Sequence, residues 1–237
     1  MIDFHPAPGR LAPGRRVYAV GDVHGCDARL AALHAAIAED VRRRPAARAQ
    51  LVHLGDYVDR GPNSRGVVAR LMAGAMPGGL PTVNLMGNHE ATMLAALAGE
   101  GGAAADWMIG GGREALASWG ADADGPREAW ARAVPAADIA FLRGLALMHR
   151  ADGYLFVHAG IRPGVALERQ AAIDLLGIRQ VFLYSEEDFG VVVVHGHTPK
   201  AEPVLRHNRI GIDTGAVFGG ALTCAVLEED RVGFLRA

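Results

Sequence analysis

Cysteine is nearly absent, with Cys26 and Cys224 the only two in 237 residues. Two thiols so placed make neither a disulfide framework nor the paired spacing of a structural zinc site, so a reducing compartment is the natural expectation. An excess of positive charge is missing too: 24 Lys and Arg face 26 Asp and Glu, for a formal charge of −2. Nucleic-acid binding through phosphate neutralisation therefore has no compositional support, and any affinity for phosphate must come from local chemistry. Long apolar runs are also lacking. Pro, Gly and Arg interrupt MIDFHPAPGRLAPGRR where a signal peptide would need a continuous apolar stretch, and no later run reaches membrane-spanning length. The expectation is a soluble, cytoplasmic protein that engages no membrane. Half the residues are nonetheless hydrophobic and 21% are charged, the balance of an ordinary folded chain. One large domain over residues 16–237 suits the length, preceded by a flexible lead-in over 1–15 where Pro and Gly break any periodicity.

From Val17 onward three short units follow one another, RVYAVGDVHG, QLVHLGDYVDRG and PTVNLMGNHE, each an apolar strand running into a polar loop with glycine. Helical stretches over Ala28 to Arg44 and Ser64 to Ala75 separate them, so the first hundred residues alternate as βαβ units do and predict parallel pairing. The segment from Gly99 to Met148 differs, with glycine clusters flanking Ala-rich stretches that hold Trp107, Trp119 and Trp130. It reads as a helical insertion that borders the substrate cleft as a partly mobile cap, its tryptophans serving packing, with Trp107 nearest the site. Beyond it come a strand ending YLFVHAG, a helix near Glu168 to Leu176 and a strand VVVVHGHT. Shorter β patterns through EPVLRHN, RIGIDTG, ALTCAVLEED and RVGFLRA suggest antiparallel pairing by their short connections. The fold class is α/β.

Ligands in open α/β sheets gather at the carboxyl ends of strands. Here those ends offer Asp22 and His24, then Asp56, then Asn88, His158 and His197. An isolated Asp-x-His after a strand is ordinarily a turn with local hydrogen bonds. Turn chemistry uses Asp, Asn and Gly but does not call for histidine beside them at strand end after strand end. These oxygen and nitrogen ligands exceed the need of one tetrahedral ion and suit two ions bridged by one carboxylate. Mn²⁺, Fe²⁺ and Zn²⁺ all accept such a mixture, with Mn²⁺ the first expectation.

In this order GDVHG, GDYVDRG, GNHE, HAGIRP and GHTP resemble the phosphoprotein phosphatases within the calcineurin-like metallophosphoesterases. The likeness spans residue 17 to about residue 228, and GHTP through DTGAVFGGAL, with WMIGGG, looks most like the compact bacterial and bacteriophage serine/threonine phosphatases. It implies an αββα sandwich of mixed sheets. It also implies that one ion takes Asp22, His24 and Asp56 while the other takes Asp56, Asn88, His158 and His197. Pro199 stands where many members of the wider superfamily carry a further histidine, which leaves the first ion more reliant on water.

With two metals, the implied activity is hydrolysis of a phosphoprotein or small phosphomonoester by an activated water, without a covalent intermediate. Arg60 is the arginine the family assigns to phosphate, and a guanidinium grips two oxygens at once. Arg179 in DLLGIRQVFL sits where compact relatives place an arginine after tryptophan, although Gly177 replaces that tryptophan. Arg162 could supply rim contacts or a structural ion pair. His89 is read as the general acid for the departing alkoxide, held by Asp59. His195 reads as a packed or supporting residue, and both cysteines as lacking a mechanistic role. Two alternatives remain open: a dinucleoside tetraphosphate hydrolase, whose members share GDVHGC but have GNHD, and a non-catalytic phosphate-binding module of the same fold. The oligomeric state and the natural substrate are left open.

Overall fold

The computed structural model describes residues 2–74 and 77–237. In chain order these form β1 (Phe4–Pro6), β2 (Arg15–Val20), α1 (Asp27–Arg43), β3 (Arg48–His53), α2 (Ser64–Met72), β4 (Thr82–Asn84) and α3 (Asn88–Leu97). The insertion supplies α4 (Ala103–Gly110), α5 (Gly112–Ser118), α6 (Arg127–Ala133) and α7 (Ala136–Arg143). There follow β5 (Met148–Ala151), β6 (Tyr154–Val157), α8 (Ala172–Gly177), α9 (Gln180–Leu183), β7 (Val192–His195), β8 (Val204–Leu205), β9 (Arg209–Gly211), β10 (Thr223–Glu228) and β11 (Arg231–Arg236). Ala75, expected to end the second helix, lies outside the described residues.

Two mixed sheets result, ordered β1-β11-β10-β2-β3-β4 and β5-β6-β7-β9-β8. Their apposition follows from strand periodicity, since alternate residues point to opposite faces. Val17 and Ala19 of β2 join Val192 and Val194 of β7 and Phe156 of β6 in the core between the sheets. Tyr18 and Val20 point the other way, toward Leu30, Leu33 and Ile37 of α1. Val193 and Leu155 face Phe182 and Leu175 on the outer side of the second sheet. The architecture is the expected αββα sandwich. Cys224 is buried in the layer beneath α1, a packing role.

Several local expectations need correction. The lead-in is not without structure: Phe4 pairs with Gly233 and Leu11 is buried between the sheets. Its apolar residues lie too far apart for a periodic signal, and the pairing partner is at the far end of the chain. EPVLRHN and RIGIDTG pair antiparallel as β8 and β9, as their short connection suggested, whereas the other edge of β9 runs parallel to β7. Residues 196–208 are a connection long enough to return the chain to the starting edge, with β8 added antiparallel along the way. The helix expected near Glu168 to Leu176 is divided into a 3₁₀ turn over Leu167–Arg169 and α8.

Beneath α1, His34 Nε2 and His53 Nε2 face each other at 2.9 Å, and His53 Nδ1 meets Asn84 Oδ1 at 2.8 Å. Burial lowers the His34 pKa to about 4 and that of His53 to about 3. In the unfolded chain both would take protons near ~6.5, so between there and about 4 the unfolded state binds more protons and stability falls with falling pH. A His53→Gln variant should therefore lose less Tm between pH 7 and pH 5 than the unmodified protein. Equal losses would mean that the pair is not held neutral.

Candidate active site

The candidate residues sit on loops at the carboxyl ends of β2, β3, β4, β6 and β7. His24, Asp56, Asp59, Arg60 and His197 adopt positive φ between 44° and 71°. Such backbone is costly for residues with a side chain and concentrates at functional sites. One side chain holds much of it in place. Glu90, wholly buried, accepts the amides of Asp56 (2.8 Å), Tyr57 (2.7 Å), Val58 (3.1 Å) and Gly87 (2.9 Å). It thereby ties the GDYVD turn to the start of α3. Close approach explains two glycines: a Cβ at Gly87 would lie 2.1 Å from Asp56 Oδ1, and one at Gly196 would lie 1.9 Å from Asp22 Oδ1.

Asp56 occupies the centre. Its Oδ2 lies 3.5 Å from His24 Nε2 and its Oδ1 lies 3.4 Å from His158 Nε2. His158 Nε2 in turn lies 3.0 Å from Asn88 Oδ1 and 3.2 Å from His197 Nδ1. The groups His24, Asp56, His89 and Asp56, His158, His197 each bring their possible ligand atoms within 4.8 Å of one another, sharing Asp56. Nδ1 of His24 and of His158 meets a main-chain carbonyl, of Val58 and Leu54 respectively, which turns each Nε2 into the site. His197 Nε2 is buried without a partner. Burial lowers the pKa of His24 to about 4 and that of His197 to about 3, so both are neutral lone-pair donors near pH 7. Burial also works against charge on His158, yet Asp56 and Asp22 carry its pKa up to about 10, a sign of concentrated negative potential. This donor set fits a binuclear metal site. Asp22 stands slightly apart: both its oxygens accept the backbone amide of His197, at 3.0 and 3.2 Å.

Beside this cluster His89 Nδ1 and Asp59 Oδ2 are 2.6 Å apart. Burial opposes charge on His89, but the Asp59 carboxylate outweighs it and raises the pKa above the usual imidazole value. The other Asp59 oxygen accepts Trp107 Nε1–H at 2.8 Å. Trp107 is fully buried in α4, and the amide of Arg60 donates to Gly111 at 3.0 Å. The insertion is thus hydrogen-bonded to Asp59 and Arg60 of GDYVDRG, rather than only bordering the cleft. Arg60 Nη1 reaches His24 Nε2 at 2.8 Å, and its guanidinium lies over the exposed Phe218 ring at 5.4 Å. Arg179 is exposed, with Nη1 3.5 Å from Thr198 Oγ1. Arg162 forms a paired ion bridge with Asp174, at 2.7 and 2.5 Å, and is engaged away from the cluster. Sequence reasoning missed Glu90 and the hydrogen bond of Trp107. The glutamate in GNHE was a visible signal, whereas the tryptophan is brought in by the tertiary fold.

Residues 15–233 match the family model described as calcineurin-like phosphoesterase. The chain is 30% identical over 223 residues to serine/threonine-protein phosphatase 1 of Salmonella typhimurium, covering 90% of this chain and 93% of that one. It is 35% identical over 147 residues to a symmetrical bis(5′-nucleosyl)-tetraphosphatase of Methylococcus capsulatus, covering 62% and 44%. A serine/threonine phosphatase structure from Saccharomyces cerevisiae shares the fold with a TM-score of 0.57 at 12% identity, over 95% of this chain and 81% of that one. A variant of a cold-active protein tyrosine phosphatase does so at 0.61 and 17%, over 96% and 82%. The matched span carries every strand end that bears a candidate ligand, and the chain belongs to the calcineurin-like phosphoesterases, as a hydrolase of the metallophosphoesterase type.

Proposed function

We propose that this hydrolase removes phosphate from serine and threonine side chains, with two divalent ions, Mn²⁺ foremost, held by Asp22, His24, Asp56, Asn88, His158 and His197. The observation that carries the reading is the His89–Asp59 pair, at 2.6 Å and walled by Trp107. A serine alkoxide is a poor leaving group and needs a proton as it departs; a buried imidazole with raised pKa holds one near neutral pH. When bound, divalent ions supply Lewis acidity toward phosphoryl oxygens and a nucleophile deprotonated near neutral pH. The chain's own residues supply the remaining work. Asp59 keeps the Nδ1 proton of His89 in place and leaves Nε2–H to face the substrate. Arg60, at the mouth of the cluster, grips two phosphoryl oxygens, and Arg179 closes on the phosphate from the other side.

Arg60→Lys keeps the charge and loses the planar fork. Activity should fall about 10- to 100-fold, the worth of roughly one charge-assisted hydrogen bond, with metal content unchanged. Undiminished kcat/KM would remove Arg60 from the phosphate site. Trp107→Phe, which deletes one donor to Asp59, should slow a phosphoserine peptide more than p-nitrophenyl phosphate, by about tenfold. Equal effects would make Trp107 a packing residue only.

The tetraphosphatase reading has support in the relative from Methylococcus capsulatus. A nucleotide leaves as a stable phosphate anion and has less need of an acid, so the two readings separate chemically. Phosphoserine, phosphothreonine and phosphotyrosine peptides should be compared with diadenosine tetraphosphate under one Mn²⁺ condition. The phosphoserine and phosphothreonine peptides are expected to give the higher kcat/KM, and the reverse ranking would overturn the proposal.

A further inference from the structure

Phe218 is 65% exposed, although burying a phenylalanine ring is ordinarily favourable. Its place is nonetheless fixed. It ends a 3₁₀ turn over Ala216–Phe218, between β9 and β10, bracketed by Gly215 and Gly219 in left-handed backbone at φ 68° and 93°. The amides of Phe218 and Gly220 both donate to the Gly215 carbonyl, at 2.9 and 3.0 Å, and Thr214 Oγ1 donates to the Ala221 carbonyl at 2.6 Å. Ala216 is buried in the core beneath. A turn closed and anchored in this way carries the ring outward to the Arg60 guanidinium, which lies over it at 5.4 Å.

Arg60 has need of such a support. Its backbone is left-handed, at φ 64°, and its amide is given to the Gly111 carbonyl at 3.0 Å, but a long side chain still loses rotamer freedom when it is fixed on a ligand. Arg162 shows one way to hold a guanidinium, with both arms taken by Asp174. Arg60 has no carboxylate partner among the described residues and turns Nη1 to the cluster, 2.8 Å from His24 Nε2. An aromatic face attracts the cation without accepting its N–H groups as a carboxylate would, which leaves the fork free for phosphoryl oxygens.

We propose that Phe218 is a positioning residue: its ring backs the Arg60 guanidinium, keeps it turned to the metal cluster before phosphate arrives, and so tightens phosphate binding without touching the phosphate. This role rests on the assignment of Arg60 to phosphate and not on serine or threonine as the ester. Equilibrium dialysis of Mn²⁺-loaded protein with radiolabelled inorganic phosphate, which carries no leaving group, tests it. Phe218→Leu should weaken phosphate binding about 2- to 5-fold, the worth of an exposed cation–π contact, with metal content and Tm unchanged. Phe218→Trp, which restores an aromatic face, should bind at least as tightly as the native protein. Arg60→Gln should weaken binding about 10- to 100-fold, and adding Phe218→Leu to it should cost nothing more, because two residues that act through one contact are not additive. An unchanged affinity in Phe218→Leu, a Trp variant as weak as the Leu variant, or the same loss in the Arg60→Gln background would overturn the role. Arg60→Gln binding as tightly as native protein would overturn it together with the phosphate assignment of Arg60. The predicted cycle combined with preference for diadenosine tetraphosphate would leave the role standing and count against the serine/threonine reading alone.

Discussion

His89→Asn is expected to slow hydrolysis of a phosphoserine peptide by about 10²–10⁴-fold, the usual range for a lost general acid, and to slow p-nitrophenyl phosphate distinctly less. The asymmetry follows from the leaving groups. An alkoxide must be protonated as it departs, whereas p-nitrophenolate is stable enough to leave with little help. In the structure His89 directly follows Asn88 at the start of α3, which puts its ring beside the cluster while its Nδ1 is taken by Asp59. Asp59→Asn should give the same pattern in weaker form, because the amide can still accept from Trp107 Nε1 but no longer offers a charge that keeps His89 protonated. Steady-state kinetics on the two substrates, with metal content measured in parallel, separates the roles. Equal losses with both ions retained would make His89 a phosphate-positioning group and send the search for the proton donor elsewhere.

Asp56→Asn is expected to lower p-nitrophenyl phosphate turnover by more than about 10²-fold, beyond what loss of an outer partner of a metal ligand usually costs, and to lower occupancy of both ions. One carboxylate faces His24 on one side and His158 on the other, at 3.5 and 3.4 Å, so its charge serves both halves of the cluster. Burial opposes that charge, yet His158 and His24 hold the pKa well below the ordinary carboxylate range. A neutral amide would keep the hydrogen-bonding shape and remove the compensation for two divalent cations. Elemental analysis of the purified variant provides the check, and two tightly held ions with near-normal turnover would exclude a bridging role.

Much of this was legible before any coordinates. Apolar strands ending in histidine and carboxylate give away both the sheet order near β2, β3 and β4 and the residues that meet at their ends, because strand periodicity and turn chemistry are local. The rest depends on partners far apart in sequence. Phe4 gains its place only by pairing with Gly233, which no window along the chain can see. Trp107 reaches Asp59 across 48 residues, and its hydrogen bond makes the insertion part of the dyad's support rather than a detachable cap. Glu90 shows the opposite case: it is adjacent to His89, but the four amides it gathers belong to two loops brought together by the parallel β3–β4 pairing. His195, read in sequence as a packed or supporting residue, is buried at the end of β7 with its ring edge-on to Phe182 at 5.1 Å, a contact made only by the tertiary fold.

The most direct measurement is a metal titration of chelator-treated protein, following p-nitrophenyl phosphate hydrolysis against bound Mn²⁺ by elemental analysis. The account predicts negligible turnover without metal and full activity at two ions per chain, with His158→Asn and His197→Asn unable to reach that stoichiometry. Full turnover with no bound metal, or saturation at two ions without hydrolysis of any phosphoester in the panel, would contradict it.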